Sequence, residues 1–479
     1  MGSVWAAGSR FPERKALEND MSADVAIIGA GMAGLLTASL LREKGRDVVL
    51  IEAERTAGGV TQNTTAKITS QHDLFYDKLI SNVGAEKAAM YAAANQEAIE
   101  EYAGIIEKNG IDCHFKRLPA YVYSLSNEKK LRDETEAAVK LGIDAEFVRE
   151  TSLPIPVVGA VRFNNQAQFH PLEFLMPIAE KLTIYEHTKA VDIKDNTVFT
   201  EKNKIRADKI VVATHYPFIN APGYYFLRMH QERSYVIAFE NAQELDGMYI
   251  DENENGYSFR NFGNLLLLGG GSHRTGKNTD GGLYGKIAAQ AAVWYPKAVE
   301  RYRWSAQDCF SVDEIPYIGR YSESLPDVYV ATGFKKWGMT SSMVSAMILS
   351  DAITGVKNPY SEVFDPGRFN ITASMKNAAA DIGESVAGLS KSVFRIPDAK
   401  LESVQNGHGG IVEHDGRKIG VYKNQEGAVY AVSARCAHLG CELTWNPDEL
   451  TWECPCHGSR YDIDGNVINN PAIKNLEKF

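Results

Sequence analysis

Cysteine and histidine occur together in two short boxes near the C-terminal end of this 479-residue chain. The first box contains Cys436 and His438, and the second contains Cys454 and His457. Two thiolates and two neutral imidazoles can hold a [2Fe–2S] cluster, with Cys436 and Cys454 on one iron and His438 and His457 on the other. The same ligand types can also hold a tetrahedral zinc ion. The pattern therefore predicts a metal centre.

The residues around these ligands favour the cluster, because a zinc site does not require them. The boxes read Cys-Ala-His-Leu-Gly-Cys and Cys-Pro-Cys-His-Gly-Ser, and roughly residues 405–475 resemble the Rieske proteins of cytochrome bc complexes. The resemblance implies that Cys441 and Cys456 form a disulfide that joins the two ligand loops. It also implies that the hydroxyl groups of Ser459 and Tyr461 donate to cluster sulfurs and raise the cluster potential.

A second motif lies near the N-terminal end. A short apolar strand, residues 24–28, is followed by Gly29, Gly31 and Gly34 and a helical segment, and the next apolar strand ends at Glu52. This order of elements is the context in which the G-x-G-x-x-G pattern binds a dinucleotide. Gly29 makes the tight turn, Gly31 admits the pyrophosphate and Gly34 allows close helix packing, while Glu52 accepts a hydrogen bond from the adenosine ribose. FAD and NAD both use this pattern, so it leaves the choice between them open.

Later segments favour FAD. The ordered set formed by residues 61–68, 208–215, 313–320 and 328–339 resembles the D-amino-acid oxidase and glycine oxidase superfamily of FAD enzymes, over about residues 22–370. The resemblance implies further cofactor contacts from the loops of this half of the chain: Arg55, Thr61, Thr65, Ala66, Lys67, Ala190, Ala213, Gly333, Trp337, Gly338, Met339 and Thr340.

The two resemblances predict an α/β fold with a Rossmann-like FAD-binding domain, a substrate domain of sheet and helices, and an all-β C-terminal Rieske domain. The predicted boundaries are 1–84, 151–215 and 311–375 for the FAD-binding domain, 85–150 and 216–310 for the substrate domain, 376–392 for a linker, and 393–479 for the Rieske domain. We also expect a helix from Ala85 to Asn109, strands at 235–239 and 265–270, and a helix from Met339 to Thr354. The positive end of that last helix would face the flavin.

Composition restricts the partners and the compartment. A formal net charge of −10 argues against nucleic acid or an anionic membrane as partner. The sequence contains no run of about 18 apolar residues that could span a bilayer, and Met1 to Asp20 lack the apolar core of a secretion signal. Six cysteines in a chain of this length suit a reducing compartment. We therefore expect a cytoplasmic protein in which the proposed disulfide is an exception.

The residues that act on substrate are the least defined by sequence. Side chains that could bind a carboxylate or move a proton near the flavin are His72, Arg233, Arg260 and Trp337, followed by His170, His273 and Lys335. The resemblance implies that hydride leaves the carbon next to an amine, and that no protein acid or base is obligatory.

We therefore expect an FAD-dependent dehydrogenase of an amine or amino acid. It would pass electrons from flavin to the Rieske cluster and then to an unknown acceptor. One alternative is an electron-transfer or redox-sensing protein that has no organic substrate at the flavin. Another is electron flow from the cluster to the flavin for oxygenation.

Overall fold

The computed structural model describes residues 2–368, 404–414 and 416–479. Its helices are α1 (Val4–Gly8), α2 (Met32–Glu43), α3 (Tyr76–Val83), α4 (Ala85–Asn109), α5 (Glu128–Lys140), α6 (Pro171–Glu180), α7 (Leu283–Trp294), α8 (Gly338–Thr354) and α9 (Ser361–Phe364). The predicted linker, residues 376–392, and the predicted start of the Rieske domain at residue 393 lie outside the described residues.

The strands of the described residues follow one another in this order: β1 (Met21–Ile28), β2 (Val48–Ile51), β3 (Lys67–Ile68), β4 (Lys116–Ser124), β5 (Ala145–Val148), β6 (Gly159–Gln168), β7 (Thr183–Tyr185), β8 (Ala190–Lys194), β9 (Thr197–Thr200), β10 (Lys204–Val212), β11 (Met229–Glu240), β12 (Met248–Asp251), β13 (Ser258–Phe262), β14 (Leu265–Arg274), β15 (Val299–Ser311), β16 (Tyr317–Ser322), β17 (Leu325–Thr332), β18 (His408–His414), β19 (Arg417–Lys423), β20 (Val429–Ser433), β21 (Thr444–Asn446), β22 (Thr451–Glu453), β23 (Arg460–Tyr461) and β24 (Val467–Asn469).

The first large sheet frames the nucleotide-binding half. Its strand order is β16-β17-β10-β1-β2-β7, with β8 and β9 attached beside β10. The pairings from β17 through β10, β1 and β2 to β7 are parallel, whereas β16 and β9 pair antiparallel with β17 and β10. Val25–Ile28 and Val48–Ile51 are buried without a polar interruption, because both faces of a parallel sheet are covered. Helices α2 and α8 pack together on this sheet.

The second large sheet has the strand order β15-β11-β14-β13-β12-β4-β6-β3, with β5 paired to β6. Most of its pairings are antiparallel, while β12 and β4 are parallel. The predicted strands at 235–239 and 265–270 are confirmed within β11 and β14.

Two segments pack against a different part of the molecule from the one to which the sequence analysis assigned them. Strand β6 lies in the range assigned to the FAD-binding domain, yet it pairs along its length with β4 of the second sheet. Helix α4 spans Ala85 to Asn109 as predicted, but it packs on α8 of the FAD-binding half. There the Tyr102 hydroxyl donates to the carbonyl oxygen of Met339 at 2.8 Å. The chain crosses between the halves several times, and such crossings leave no local sequence signal.

The C-terminal domain, residues 404–479 apart from Asp415, contains two antiparallel sheets, β18-β19-β20 and β21-β22-β23-β24. Tyr422, Trp445 and Trp452 pack at the centre of its core, with ring centroids 4.8 Å apart for each neighbouring pair. The predicted all-β architecture of this domain is confirmed.

One antiparallel ladder connects all parts of the molecule. Strand β11 pairs with β15 so that Gln231 lies opposite Cys309 and Glu232 lies opposite Asp308. Because side chains alternate between faces along a strand, Gln231 and Glu232 point to opposite sides of the sheet. Gln231 donates to the carbonyl oxygen of His457 at 2.8 Å in the C-terminal domain, whereas Glu232 and Asp308 line a cavity between the two large sheets.

A buried ionic network fixes the C-terminal domain on this ladder. Arg233 of β11 contacts Glu449 at 2.8 Å, and Arg460 contacts Glu453 at 3.1 Å and Glu449 at 3.3 Å. Burial acts to raise the pKa of Glu453, but Arg460 and Arg233 lower it overall. Glu453 also accepts a hydrogen bond from the Gly276 amide at 2.9 Å. Two guanidinium and two carboxylate groups balance in charge, so the interface can be buried.

We expect Arg233→Met to lower the free energy of unfolding by about 3–5 kcal/mol, because it leaves buried carboxylates without their partner. The measurement is urea unfolding followed by fluorescence. The matched control is Arg301→Met, which removes an exposed pair with Glu240 at 2.7 Å and should cost only about 0–1 kcal/mol. Equal effects of the two substitutions would contradict the importance assigned to the network.

Candidate functional site

A cavity of about 1160 Å³ extends from the glycine turn after β1 to the underside of the β11–β15 ladder. Gly29 has a φ of +105°, and a Cβ there would lie 2.5 Å from the carbonyl oxygen of Ala213. A Cβ on Gly34 would collide with the carbonyl oxygen of Gly29. The Thr61 hydroxyl accepts a hydrogen bond from the Met32 amide at 3.0 Å in the first turn of α2. This turn fits a pyrophosphate at a helix N-terminus.

Glu52 and Ala190 lie at the nucleotide end of the cavity. The Glu52 carboxylate accepts hydrogen bonds from the amides of Ala30 at 2.9 Å and Glu54 at 3.0 Å. Burial raises the pKa of Glu52, although these amides act in the opposite direction. The carboxylate is therefore held at the end of β2, where a ribose hydroxyl would meet it.

Most of the other predicted cofactor contacts also line the cavity: Gly31, Thr61, Thr65, Lys67, Ala213, Trp337, Gly338 and Met339. Ala66, Gly333 and Thr340 lie behind this lining. Ala66 is buried with a φ of +54°, and the Thr340 hydroxyl donates to the Thr69 carbonyl oxygen at 3.1 Å.

Arg55 occupies a different position from the one expected. Its guanidinium contacts Glu186 at 3.2 Å and donates to the carbonyl oxygen of Phe11 at 2.9 Å. It does not appear among the described residues that line the cavity. Arg55 thus supports the N-terminal segment instead of facing the cofactor.

Of the four candidates for action on substrate, Trp337 lines the cavity and His72, Arg233 and Arg260 do not, among the residues that the structure describes. His72 is buried between the Tyr91 hydroxyl at 2.7 Å and the Thr69 carbonyl oxygen at 2.8 Å, and burial lowers its pKa to about 3. Its ring stacks on Trp337 with centroids 4.8 Å apart. His72 therefore supports the tryptophan.

The contacts of the two arginine candidates differ from the expected role of binding a substrate carboxylate. Arg260 donates to Gln168 at 2.7 Å and to the carbonyl oxygen of Phe169 at 3.0 Å, and it also binds the carbonyl oxygen of Thr65. It holds the loop that carries Lys67. Arg233 is committed to the ionic network with the C-terminal domain, since its strand position turns it away from the cavity.

The further candidates for action on substrate also lie in different parts of the structure. His170 accepts a hydrogen bond at the start of α6, and the ring of His273 stacks on Tyr235. Lys335 does line the cavity, where it contacts Asp73 at 3.4 Å and Glu314 at 3.5 Å.

Sequence reasoning missed Glu232 and Asp308, which line the cavity from opposite strands of the ladder. The available signal was period-two alternation beside Gln231 and Arg233. That signal separates the two faces of a strand, but it cannot say which face meets the cofactor.

The four predicted metal ligands converge in the C-terminal domain. The rings of His438 and His457 have centroids 5.0 Å apart and stand at 88° to each other. Their Nδ1 atoms are buried and have no hydrogen-bond partner among the described residues. A hydrogen bond with Cys454 lowers the pKa of the Cys436 thiol, against the opposing effect of burial. Two thiols in contact and two neutral imidazoles with free Nδ1 atoms fit a mixed-ligand cluster.

The predicted disulfide is confirmed between Cys441 and Cys456, whose Cα atoms are 6.6 Å apart. The sulfur atoms of both lie within 4.8 Å of that of Cys454. Because they are bonded to each other, they offer no thiolate to a metal ion. The ligand set is thereby restricted to the remaining cysteines of the boxes, Cys436 and Cys454.

The hydroxyl groups of Tyr461 and Ser459 both lie at the Cys436 sulfur. The Tyr461 oxygen lies 3.3 Å from this sulfur and accepts a hydrogen bond from the Ala437 amide at 3.0 Å. The Ser459 hydroxyl also bonds the Cys436 thiol and accepts from the Ala472 amide at 3.0 Å. Because each hydroxyl oxygen accepts from a backbone amide, its proton is left to donate to a sulfur.

A loop of the substrate half covers the histidine edge of this centre. Asn220 accepts a hydrogen bond from Nε2 of His438 at 2.7 Å, and His457 bonds the backbone of Phe226. The Phe226 ring centroid lies 5.9 Å from that of His457. These bonds fix the protonated nitrogen of each imidazole and leave Nδ1 for a metal.

The fold and the two sites together define an oxidoreductase class with a dinucleotide cavity and a cysteine–histidine iron–sulfur domain. A family model described as FAD dependent oxidoreductase matches residues 24–352, and one described as Rieske [2Fe-2S] domain matches residues 395–479. The chain belongs to the FAD-dependent oxidoreductase family and carries a C-terminal Rieske domain; its cofactors are FAD and a [2Fe–2S] cluster. The cluster, and not zinc, is thus confirmed.

Known proteins resemble the chain over its whole length or over its FAD half. The Rieske 2Fe-2S iron-sulfur protein YhfW of Bacillus subtilis is 38% identical, over 100% of this chain and 97% of the relative. Gamma-glutamylputrescine oxidoreductase of Escherichia coli is 22% identical, over 73% of this chain and 88% of its own. Glycine oxidase of Geobacillus kaustophilus has a TM-score of 0.61 and 17% identity, over 73% of this chain and 99% of its own. Among the described residues, no helix is long and apolar enough to cross a membrane.

We expect Glu52→Ala to weaken FAD binding by about ten- to hundredfold, since a hydrogen bond to a charged acceptor contributes about 1.5–3 kcal/mol. The measurement is flavin content after dialysis, together with the Kd of re-added FAD. The control is Glu244→Gln at an exposed position. Unchanged FAD affinity in Glu52→Ala would show that this carboxylate does not hold the ribose.

We expect Tyr461→Phe to make the cluster harder to reduce. The substitution keeps the ring and removes the hydroxyl that lies beside the Cys436 sulfur. Loss of one hydrogen bond of about 1–1.5 kcal/mol should lower the potential by roughly 40–60 mV for a one-electron couple. A redox titration followed by EPR measures the shift, and an unchanged midpoint would exclude Tyr461 as a donor.

Proposed function

We propose that the chain is an amine or amino-acid dehydrogenase. Electrons taken from substrate in the FAD cavity leave through the Rieske domain to a one-electron acceptor. The names of the similar proteins, a gamma-glutamylputrescine oxidoreductase and a glycine oxidase, support this substrate class. Their match covers the FAD half, so the Rieske domain is what adds a separate electron exit.

The observation that carries this proposal is the position of the two sites on opposite faces of one ladder. Glu232 lines the cavity, and its chain neighbour Gln231 binds the carbonyl oxygen of the cluster ligand His457. Gln307 of β15 binds the next carbonyl oxygen, that of Gly458, at 2.8 Å and also donates to Gln231 at 2.8 Å. One layer of backbone and a short set of hydrogen bonds therefore separates the cavity from the cluster loop.

The residues that would hold the two groups follow from their positions. We propose that the turn at Gly29 and Gly31, with Thr61, holds the pyrophosphate of FAD, and that Glu52 holds the ribose. Ala190 would lie at the adenine, while Lys67 and the 337–339 segment would lie along the flavin. For the cluster we propose the ligands Cys436, His438, Cys454 and His457.

When bound, FAD accepts the two electrons released as an amine becomes an iminium ion (R–CH2–NH3+ → R–CH=NH2+ + 2 H+ + 2 e−), and the cluster carries these singly to two molecules of the acceptor. Lys67 is placed to take one of the protons. Burial, and then the charge of Arg260, lowers the pKa of Lys67 to about 7. A neutral amine is thus present in the cavity near neutral pH. Trp337, held by its stack on His72, is a buried side chain of the cavity lining.

Anaerobic addition of substrate to the purified holoprotein tests the proposal. We expect an amine or amino acid from a broad panel to bleach the flavin absorption first and then to produce the EPR signal of the reduced cluster. A protein that only senses redox state would show neither change with any member of the panel. Reduction of the cluster before the flavin would contradict the proposed direction of electron flow.

A substitution in the β11–β15 ladder distinguishes the reduction of the flavin from the later reduction of the cluster. Gln231→Leu removes the contacts to His457 and Asn470 and leaves the cavity face unchanged. It should slow the cluster phase and preserve the flavin phase. Gln243→Leu, at an exposed position after β11, is the matched control and should alter neither. Equal cluster rates in both variants would contradict a route through the ladder.

A further inference from the structure

The cavity face of the ladder presents two carboxylates directly opposite each other. Glu232 of β11 and Asp308 of β15 are cross-strand partners, and both line the cavity. Like charges at opposed positions destabilise a sheet. A cation placed between the two carboxylates removes this cost.

The side chains of the protein neutralise only part of this negative charge. His230 contacts Glu232 at 3.4 Å and Lys336 contacts it at 3.6 Å, while the Lys336 ammonium group also donates to the Ser272 hydroxyl at 2.8 Å. Asp308 makes no direct hydrogen bond or ion pair among the described residues, and the charge of Lys336 acts on it without direct contact. Its pKa is raised by burial to about 6, which leaves it mainly ionised at neutral pH. One carboxylate of the pair is therefore available to a ligand.

The other charged residues of the cavity lining also favour a cationic ligand. Its described lining contains twelve carboxylates, of which Glu52 and Glu54 belong to the nucleotide end, and six lysines, and none of the lining residues is an arginine. The excess of carboxylates attracts cations. A substrate carboxylate would lack the bidentate guanidinium clamp that suits it, because Arg233 and Arg260 are committed elsewhere.

Two of the cavity lysines are already neutralised by the protein. Lys335 lies between Asp73 and Glu314, and Lys78 contacts Glu314 at 2.9 Å. Neither lysine is thus a ready partner for an anionic ligand. The chemistry of the cavity suits a molecule with more than one positive charge.

We propose that the substrate is a diamine or longer polyamine, and that Asp308, assisted by Glu232, binds one ammonium group while a second amine is oxidised at the FAD. This inference rests on the proposed function and names its substrate class. Asp308 is then a specificity residue, since it touches the substrate away from the reacting carbon. A monoamine of the same length forgoes this contact.

Steady-state and anaerobic reduction kinetics with four probes test the proposal: putrescine, spermidine, n-butylamine and glycine. We expect the KM for putrescine to lie about ten- to hundredfold below that for n-butylamine, as one charged hydrogen bond predicts. Asp308→Asn should raise the putrescine KM by a similar factor and leave the n-butylamine KM unchanged. Asp308→Glu, which keeps the charge, should retain most of the diamine preference.

The matched control is Asp112→Asn, an exposed position outside the cavity lining, which should change no KM. Flavin and iron content, measured for every variant, shows whether the variant has folded. Flavin reduction by glycine and not by diamines, or equal KM values for putrescine and n-butylamine, would overturn this proposal alone. Failure of every amine and amino acid to reduce the flavin would overturn the proposed function, and this proposal with it.

Discussion

Pairing between β11 and β15 is the constraint on which the rest of the structure depends. One face of the ladder lines the cavity, and the other face contacts the Rieske domain. The strand register decides which side chains lie on each face. From one face, Gln231 and Gln307 bond the cluster loop and Arg233 pairs with Glu449 of the same domain. The carboxylates of Glu232 and Asp308 act from the other. Both faces of the ladder are therefore under constraint, one from the cavity and one from the Rieske domain.

The ionic contacts give this arrangement rigidity. In the ionic network Arg233, Glu453 and Arg460 are buried, Glu449 is partly exposed, and the Gly276 amide donates to Glu453. Hydrogen bonds from Gln231 and from Arg274 to the 455–457 loop add further fixed points. A Rieske domain held by so many contacts keeps one geometry relative to the cavity. The proposed electron transfer from the cavity to the cluster would then need no domain movement.

The sequence predicted those parts of the molecule whose chemistry depends on close spacing along the chain. The glycine turn, the two Cys-x-His and Cys-x-x-His boxes and the Cys441–Cys456 disulfide are of this kind, as is the helix Ala85–Asn109. Arg233 could not be placed in the same way. Its partner Glu449 lies 216 positions away in the chain, and only the docking of the Rieske domain decides which face of β11 is turned toward it. The domain boundaries failed at β6 for a similar reason, because strand pairing with β4 overrides sequence proximity.

Alternation along the ladder also shapes how such a protein can diverge. Substitutions at Glu232, Ser234 or Asp308 would alter what the cavity accepts without disturbing the contacts made by Gln231 and Arg233. Two sets of positions, interleaved residue by residue, can therefore change independently while the contacts to the Rieske domain are retained. Insertion or deletion of one residue would exchange the two faces at once. Lineages of this protein should thus acquire new substrates by replacement within the ladder and preserve its length.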